Sequence, residues 1–160
     1  MIESGAWTDK LITDYLDQAI ASTPDREAIV GYQVTSDTRG ALTYRELNDR
    51  VTRMATGLAA MGIDKGDLVA CQLPNWWQTT ALHLACIRIG AILNPLMPIF
   101  RARELRFMLK HGEAKLLVIP KIFRGFDYEA MIDGIRGELP NLETLLVIEG
   151  EGERSFEQRL

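Results

Sequence analysis

The side chains able to do chemistry are few and scattered. The chain has two histidines, His83 and His111, and two cysteines, Cys71 and Cys86. His83 falls in an apolar stretch that reads as a helix, and His111 near the end of another. Neither has cysteine or carboxylate neighbours at metal-ligand spacing. A packed or locally hydrogen-bonded role is expected for His83. For His111 the expected role is interaction with the negative end of its helix. Both cysteines lie in apolar runs, so they are expected to be buried and reduced, which fits a cytoplasmic setting. No serine or cysteine occupies a nucleophile turn. Arg101, Arg103 and Arg106 form a basic cluster that reads either as a solvated face or as a phosphate contact. Trp76 and Trp77 read as core packing or, alternatively, as the mouth of a pocket.

Phosphate-binding motifs are missing from the places where they would be useful. The backbone approaches a phosphate closely only where glycines permit it, and the run ending at Leu73 continues Pro74-Asn75-Trp76-Trp77. No stretch matches GxxxxGK[ST]. Gly150-Glu151-Gly152-Glu153 superficially resembles a glycine-rich turn after a strand, but its glutamates would repel phosphate. A solvated loop is expected there.

The elements that must carry these residues are clearer. Residues 68–73 form a short apolar run, and 76–89 is apolar on nearly every side, as a doubly buried helix would be. Asn75 is a suitable N-cap and Gly90 a suitable left-handed stop. Residues 91–93 resume strand character, and Asn94-Pro95 ends it. Strand, buried helix and strand make a parallel βαβ unit. Upstream, 9–21 reads as a helix, 27–33 as a strand, 36–40 as a polar turn, and Ala41-Leu42 as the start of a second strand in a hairpin. Thr43-Tyr44-Arg45-Glu46 is a capping box, with Leu42 and Leu47 as its hydrophobic staple, and the helix it opens runs to Met61 and stops at Gly62. Downstream, Leu105, Met108 and Leu109 mark a helix stopped by Gly112. Residues 115–119 form a strand closed by Pro120. Asp127 caps a helix containing Met131, Ile132 and Ile135, residues 143–148 form a last strand, and Ser155 caps a further short helix. Four strands joined by three helices from Leu68 onward predict an α/β fold, a parallel sheet flanked by helices on both faces.

Composition narrows the class. A chain of 160 residues, 47% hydrophobic and 25% charged, has ordinary globular make-up. A net charge of −4 with both signs interspersed argues against nucleic acid as the main partner. No apolar stretch approaches the roughly 20 residues that span a bilayer, and the first ten residues do not read as a signal peptide.

Taken together, several segments resemble one family. Leu42-Thr43-Tyr44-Arg45-Glu46-Leu47 resembles the first block of the adenylate-forming (AMP-binding) acyl-CoA synthetases. Gly62-Ile63, Lys65-Gly66-Asp67 and Val69-Ala70 resemble the turn and strand that follow it. Leu73-Pro74-Asn75, Ala85-Cys86, Gly90-Ala91, Asn94-Pro95 and Pro98 resemble the next block. The run from Pro95 to Leu109, with Arg101 and Glu104-Leu105, is most similar to the medium-chain and cyclohexanecarboxylate CoA ligase branch. Order and spacing carry the resemblance over nearly the whole chain.

The resemblance implies an AMP-forming ligase that joins a small carboxylic acid to CoA at the expense of ATP, with Mg²⁺. Members are several times longer. Their phosphate loop, metal carboxylates, acyl pocket and small C-terminal domain lie beyond Leu160, and no residue here matches those motifs. Residues 1–160 are therefore expected to be the N-terminal segment of the large domain, catalytically inactive alone, with the remainder of that domain as partner and with self-association possible. No catalytic and no metal-binding residue is expected in this segment. The resemblance also places segments 98–101 and 121–125 near the CoA nucleotide. It makes Arg124 the candidate contact for a CoA phosphate, against the reading of Arg124 as a solvated loop residue. The alternative for the whole chain is a self-standing, non-catalytic interaction protein or one half of a split ligase.

Overall fold

A computed structural model describes residues 9–33 and 38–160. The chain forms two compact units, residues 1–50 and 51–160.

In the first unit, helix α1 (Ile12–Ser22) starts three residues later than the sequence predicts, and the Asp14 carboxylate accepts the Leu11 N–H at 2.8 Å at its start. Strands β1 (Glu27–Gln33) and β2 (Thr38–Thr43) form the expected antiparallel hairpin. Residues 38–40, expected in a turn, belong to β2, while Ser36 and Asp37 lie outside the described residues. The capping box is present at the start of α2 (Tyr44–Ala60). Thr43 N–H donates to Glu46 Oε2 at 2.8 Å, and Glu46 N–H donates to Thr43 Oγ1 at 3.2 Å. The Thr43 N–H, and then the Thr43 hydroxyl, which donates to the same carboxylate at 2.9 Å, hold the Glu46 carboxyl below its ordinary range.

The second unit takes in the rest of α2 from Val51 and holds the parallel sheet. Its elements are β3 (Leu68–Cys71), α3 (Trp77–Ile89), β4 (Ile92–Pro95), α4 (Ala102–His111), β5 (Leu116–Pro120), a small antiparallel pair β6 (Ile122–Phe123) and β7 (Phe126–Asp127), α5 (Tyr128–Ile135), β8 (Thr144–Ile148) and α6 (Phe156–Arg159). The four long strands run parallel in the order β4-β3-β5-β8. This is the predicted α/β architecture. Alternation sends Ala70, Leu117, Ile119, Leu145 and Val147 to one face, where they pack with Leu105 and Leu109 of α4 and Ile132 and Ile135 of α5. Val69, Cys71, Leu116, Val118, Leu146 and Ile148 alternate to the other face and are buried too. Both faces are therefore covered, which is why these strands read as continuous apolar runs.

Several local expectations fail for identifiable reasons. Asn75 does not cap α3: it is exposed, Trp76 is the flanking residue, and no side chain bonds the first turn. Strand β4 runs two residues past Leu93 and ends at Pro95. The N–H groups of Ile92 and Leu96 donate to Asp67 and Cys71 on the β3 side. Pro95, one residue out of phase, therefore turns its missing donor to the open edge, where it costs no ladder bond. Pro120 is the last residue of β5, and its carbonyl is still available to the ladder. Gly112 keeps a right-handed φ of −81°, and the left-handed turn falls on Glu113 at +53°. Gly90 does adopt φ +75°, as predicted. His83 is exposed on α3, because that helix buries only the stripe of Ala81, Leu82, Ala85 and Cys86.

Candidate functional site

In an open parallel sheet, ligands meet the carboxyl ends of the strands where neighbouring strands send their connections opposite ways. Here β3 connects outward to β4, and β5 connects outward to β8, so that point lies between β3 and β5. The segments converging on it are 72–76 after β3 and 121–127 after β5, with 96–101 after β4 beside them. Trp76 and Phe123 meet across it edge to face, with ring centroids 5.9 Å apart. Trp76 thus packs against the loop that follows β5, a placement that neither sequence reading of the tryptophans described.

The β6–β7 hairpin, absent from the sequence reading, presents the candidate residue. Phe123 pairs with Phe126, leaving Arg124 and Gly125 as a two-residue tip with φ of +52° and +73°. Two left-handed residues make the primed turn that suits the twist of a hairpin. Glycine takes that conformation freely, whereas for arginine it costs on the order of 1–2 kcal/mol. The signal was missed because such tips are normally Asn-Gly or Asp-Gly. Arg124 is exposed, with its guanidinium 5.3 Å from the Phe123 ring centroid.

The segment after β4 is held from three sides. Gln72, completely buried, donates from Nε2 to Met97 O and to Phe100 O, both at 3.0 Å. Tyr128, buried at the start of α5, donates to Pro98 O at 2.8 Å. Arg101 donates from Nη1 to Pro98 O at 2.7 Å and Phe100 O at 2.9 Å. Its guanidinium lies 4.0 Å from the Phe126 centroid. Arg101 is exposed, as a solvated arginine would be, and it also clamps the loop and an aromatic ring. Arg106 pairs with Glu138 at 2.8 Å, and Arg103 is exposed, so the three arginines do not converge on one anion. The Arg101 N–H donates to Glu104 Oε2 at 3.1 Å, which together with the nearby arginines holds the Glu104 carboxyl low.

The remaining candidates are peripheral. His111 is exposed in the last turn of α4 and stacks on Phe107 at 5.4 Å, in the position expected for it at a helix end. Gly152 and Glu153 lie in a short 3₁₀ turn, and Glu151 is exposed, 3.6 Å from Lys121. Cys71 and Cys86 are buried free thiols, each pushed up to about 12 by burial. Among the described residues, no group of three or more His, Cys, Asp or Glu is placed to hold a metal ion. Two shallow hollows lie elsewhere. One of about 370 Å³ lies beside Thr52, Gly57 and Leu160. The other, of about 240 Å³, lies at the amino end of β8 beside Arg136 and Arg154.

The family profile described as "AMP-binding enzyme" matches residues 16–159. The chain belongs to that family. Among curated AMP-binding relatives, a medium-chain fatty-acid–CoA ligase of Escherichia coli is 33% identical over 92% of this chain. A salicylyl-CoA synthase / salicylate adenylyltransferase of a Streptomyces species is 34% identical over 92%. The chain spans 25% and 26% of the lengths of these two proteins. A crystal structure of a putative long-chain-fatty-acid CoA ligase from Rhodopseudomonas palustris superimposes with a TM-score of 0.74 at 29% identity, covering 91% of this chain and 34% of that one. An anthranilate CoA ligase solved with anthranoyl-AMP shares the fold, with a TM-score of 0.82 at 20% identity, covering 99% of this chain and 28% of that one. The family resemblance read from the block order is thus borne out.

Proposed function

We propose that residues 1–160 form the N-terminal segment of the AMP-binding large domain of an AMP-forming acyl-CoA ligase. The match over residues 16–159, and relatives four times longer that are named as CoA ligases, support this reading. In the complete ligase a carboxylate oxygen of the acid attacks the α-phosphorus of ATP and expels pyrophosphate. The thiolate of CoA then attacks the acyl carbon and expels AMP, leaving the thioester. Mg²⁺ would neutralise the triphosphate, but the donor sets described above do not fit a metal, and no step is assigned to it within this segment. The contribution of the segment is positional. It supplies the parallel sheet, the loops at its carboxyl edge, and one cationic tip.

That tip is the observation that carries the site assignment. Arg124 is exposed and held in a left-handed conformation at the carboxyl edge of the sheet. Backbone strain of this kind collects where a side chain must be presented in a fixed direction. The proposed role of Arg124 is to donate to a phosphate of CoA. The remainder of the large domain is the proposed partner, and the exposed Ile92, Met97 and Ile99 are the apolar side chains it would cover. When that surface is bare, self-association of the isolated chain is expected. The proposed setting is cytoplasmic. No helix among the described residues is long and apolar enough to cross a membrane.

The test is Arg124→Ala in the complete ligase. Loss of a charged hydrogen bond worth roughly 1.5–3 kcal/mol should raise KM for CoA about tenfold or more. ATP–pyrophosphate exchange, which precedes CoA binding, should stay unchanged. An unaltered CoA dependence would return Arg124 to the solvent.

A further inference from the structure

The carbonyls of Met97, Pro98 and Phe100 receive five hydrogen bonds from three side chains. Those side chains come from three elements: Gln72 after β3, Arg101 before α4 and Tyr128 in α5. A surface loop ordinarily satisfies its carbonyls with water. This one gives them side-chain donors instead, while Met97 and Ile99 stay outside, 53% and 70% exposed, and Leu96 is buried. The loop is therefore fixed by its backbone carbonyls as well as by Leu96 and Phe100, which pack on the core.

Gln72 has no other evident reason for being where it is. It is one of two buried polar side chains among the described residues. Its Nε2 faces two carbonyls, which forces the amide orientation, and its Oε1 is buried with no protein partner. An apolar side chain would avoid that orphan oxygen. An amide at this position is explained by the two bonds it donates to the loop.

The loop is in turn tied to the hairpin. Arg101 bonds Pro98 and Phe100, and the same guanidinium lies on the ring of Phe126, the residue paired with Phe123 across the Arg124 tip. We infer that Gln72 is a positioning residue. By fixing the carbonyls of Met97 and Phe100 it sets the loop after β4, and through the Arg101–Phe126 stack it sets the direction in which the hairpin presents Arg124. The last step deepens the CoA reading above and rests on it. The coupling of loop to hairpin does not.

Two variants test this. Gln72→Met keeps the length of the side chain and removes both its donor and its orphan oxygen. Tyr128→Phe removes one hydroxyl and keeps the ring. Hydrogen exchange on the 160-residue chain should show the amides of Phe100, Phe123 and Phe126 opening about tenfold faster in each variant, with Leu117 and Val118 in β5 unchanged. In the complete ligase, Gln72→Met should raise KM for CoA by about fivefold and leave pyrophosphate exchange intact. Exchange that is unchanged, or accelerated evenly through β5, overturns the inference. So does a CoA KM that responds to Arg124→Ala but not to Gln72→Met. If neither substitution moves that KM while the exchange pattern is local, the coupling stands and the CoA assignment of Arg124 falls.

Discussion

The ammonium of Lys115 lies 2.8 Å from Asp67 Oδ2 and joins the residue before β5 to the residue before β3. The same ammonium donates to Gly62 O at 2.7 Å, and the same carboxylate oxygen accepts the Asp64 N–H at 2.9 Å. One ion pair thus closes the 62–67 turn and aligns the starts of two parallel strands. The Asp64 N–H, and then Lys115, hold the Asp67 carboxyl below its ordinary 3.8, while Asp67 raises Lys115 above 10.5. The lowered carboxyl stabilises the fold above its unfolded value, and that contribution is lost as pH falls through the folded one. The raised ammonium stabilises below its unfolded value and loses its effect as pH rises through the folded one. Lys115→Met is therefore expected to lower the urea midpoint at neutral pH. The gap to wild type should narrow as Asp67 is protonated and as salt is added, since both side chains remain about a quarter exposed, at 24% and 28%. A gap that survives full protonation of Asp67 would assign the effect to packing of the lysine stem.

Asp127 and Asn75 form a matched pair of sequence-predicted caps with opposite outcomes. Asp127 Oδ1 accepts the Ala130 N–H at 2.9 Å, and Asn75 makes no such bond. Asp127→Ala should cost about 1 kcal/mol in chemical denaturation. Asn75→Ala should stay within about 0.5 kcal/mol of wild type, as exposed positions do. Equal losses at the two sites would mean that α5 does not depend on its cap.

The contrast between these two residues shows what was legible in the sequence. Patterns that report burial on a period, such as Leu105-Met108-Leu109 or the run from Leu116 to Ile119, led directly to the parallel sheet, because both faces of that sheet are covered. Caps were legible only where the side chain had to supply the bond. At α3 the chain reaches the helix in an extended conformation at Trp76, and Thr79 instead donates to Pro74 O at 2.9 Å. Arg101 was unreadable for another reason. Its chemistry depends on Phe126 and on the carbonyls of Pro98 and Phe100, and no spacing rule connects position 101 with position 126. Gln72 had no signal at all, since one glutamine at a strand end is common. Gly150 is similar: a Cβ there would lie 2.8 Å from Val147 O, a constraint of the turn and not of any phosphate.

The thiols of Cys71 and Cys86 supply a test of the core. Burial raises both from an ordinary 9.0 to about 12, and the neighbouring Cys71 contributes to the shift of Cys86. At pH 8 the native chain should be inert to a thiol-exchange reagent, and both sulfurs should react after unfolding. Between 9.0 and about 12 the unfolded chain has released protons that the folded chain keeps, so stability falls as pH rises. The slope approaches about 1.4 kcal/mol per pH unit for each thiol. Urea midpoints from pH 8 to about 10.5 would show this decline, and the Cys71→Ala, Cys86→Ala double variant should lack it. Rapid labelling of the native chain would contradict the burial of α3 against β3.

The last prediction concerns the reaction itself. Adenylation needs the triphosphate held in line and donors aimed at the charge that develops as pyrophosphate leaves. The carboxyl edge of this sheet offers Pro74, the carbonyls of the 96–101 loop, Lys121 paired with Glu151, and the cationic tip at Arg124. The loop carbonyls offer no donor to a phosphate, and they are already occupied by Gln72, Arg101 and Tyr128. A single tip arginine can bind one phosphate, but it cannot align a triphosphate with a carboxylate nucleophile. Loss of one well-placed donor commonly costs about 10²–10³ in rate, and this edge lacks the whole set. The 160-residue chain alone is therefore expected to give no acid-dependent ATP–pyrophosphate exchange above a protein-free control, across short, medium-chain and cyclic carboxylic acids. Exchange above that control, from material verified by mass to end at Leu160, would place catalytic groups within this segment and overturn the division of labour proposed for it.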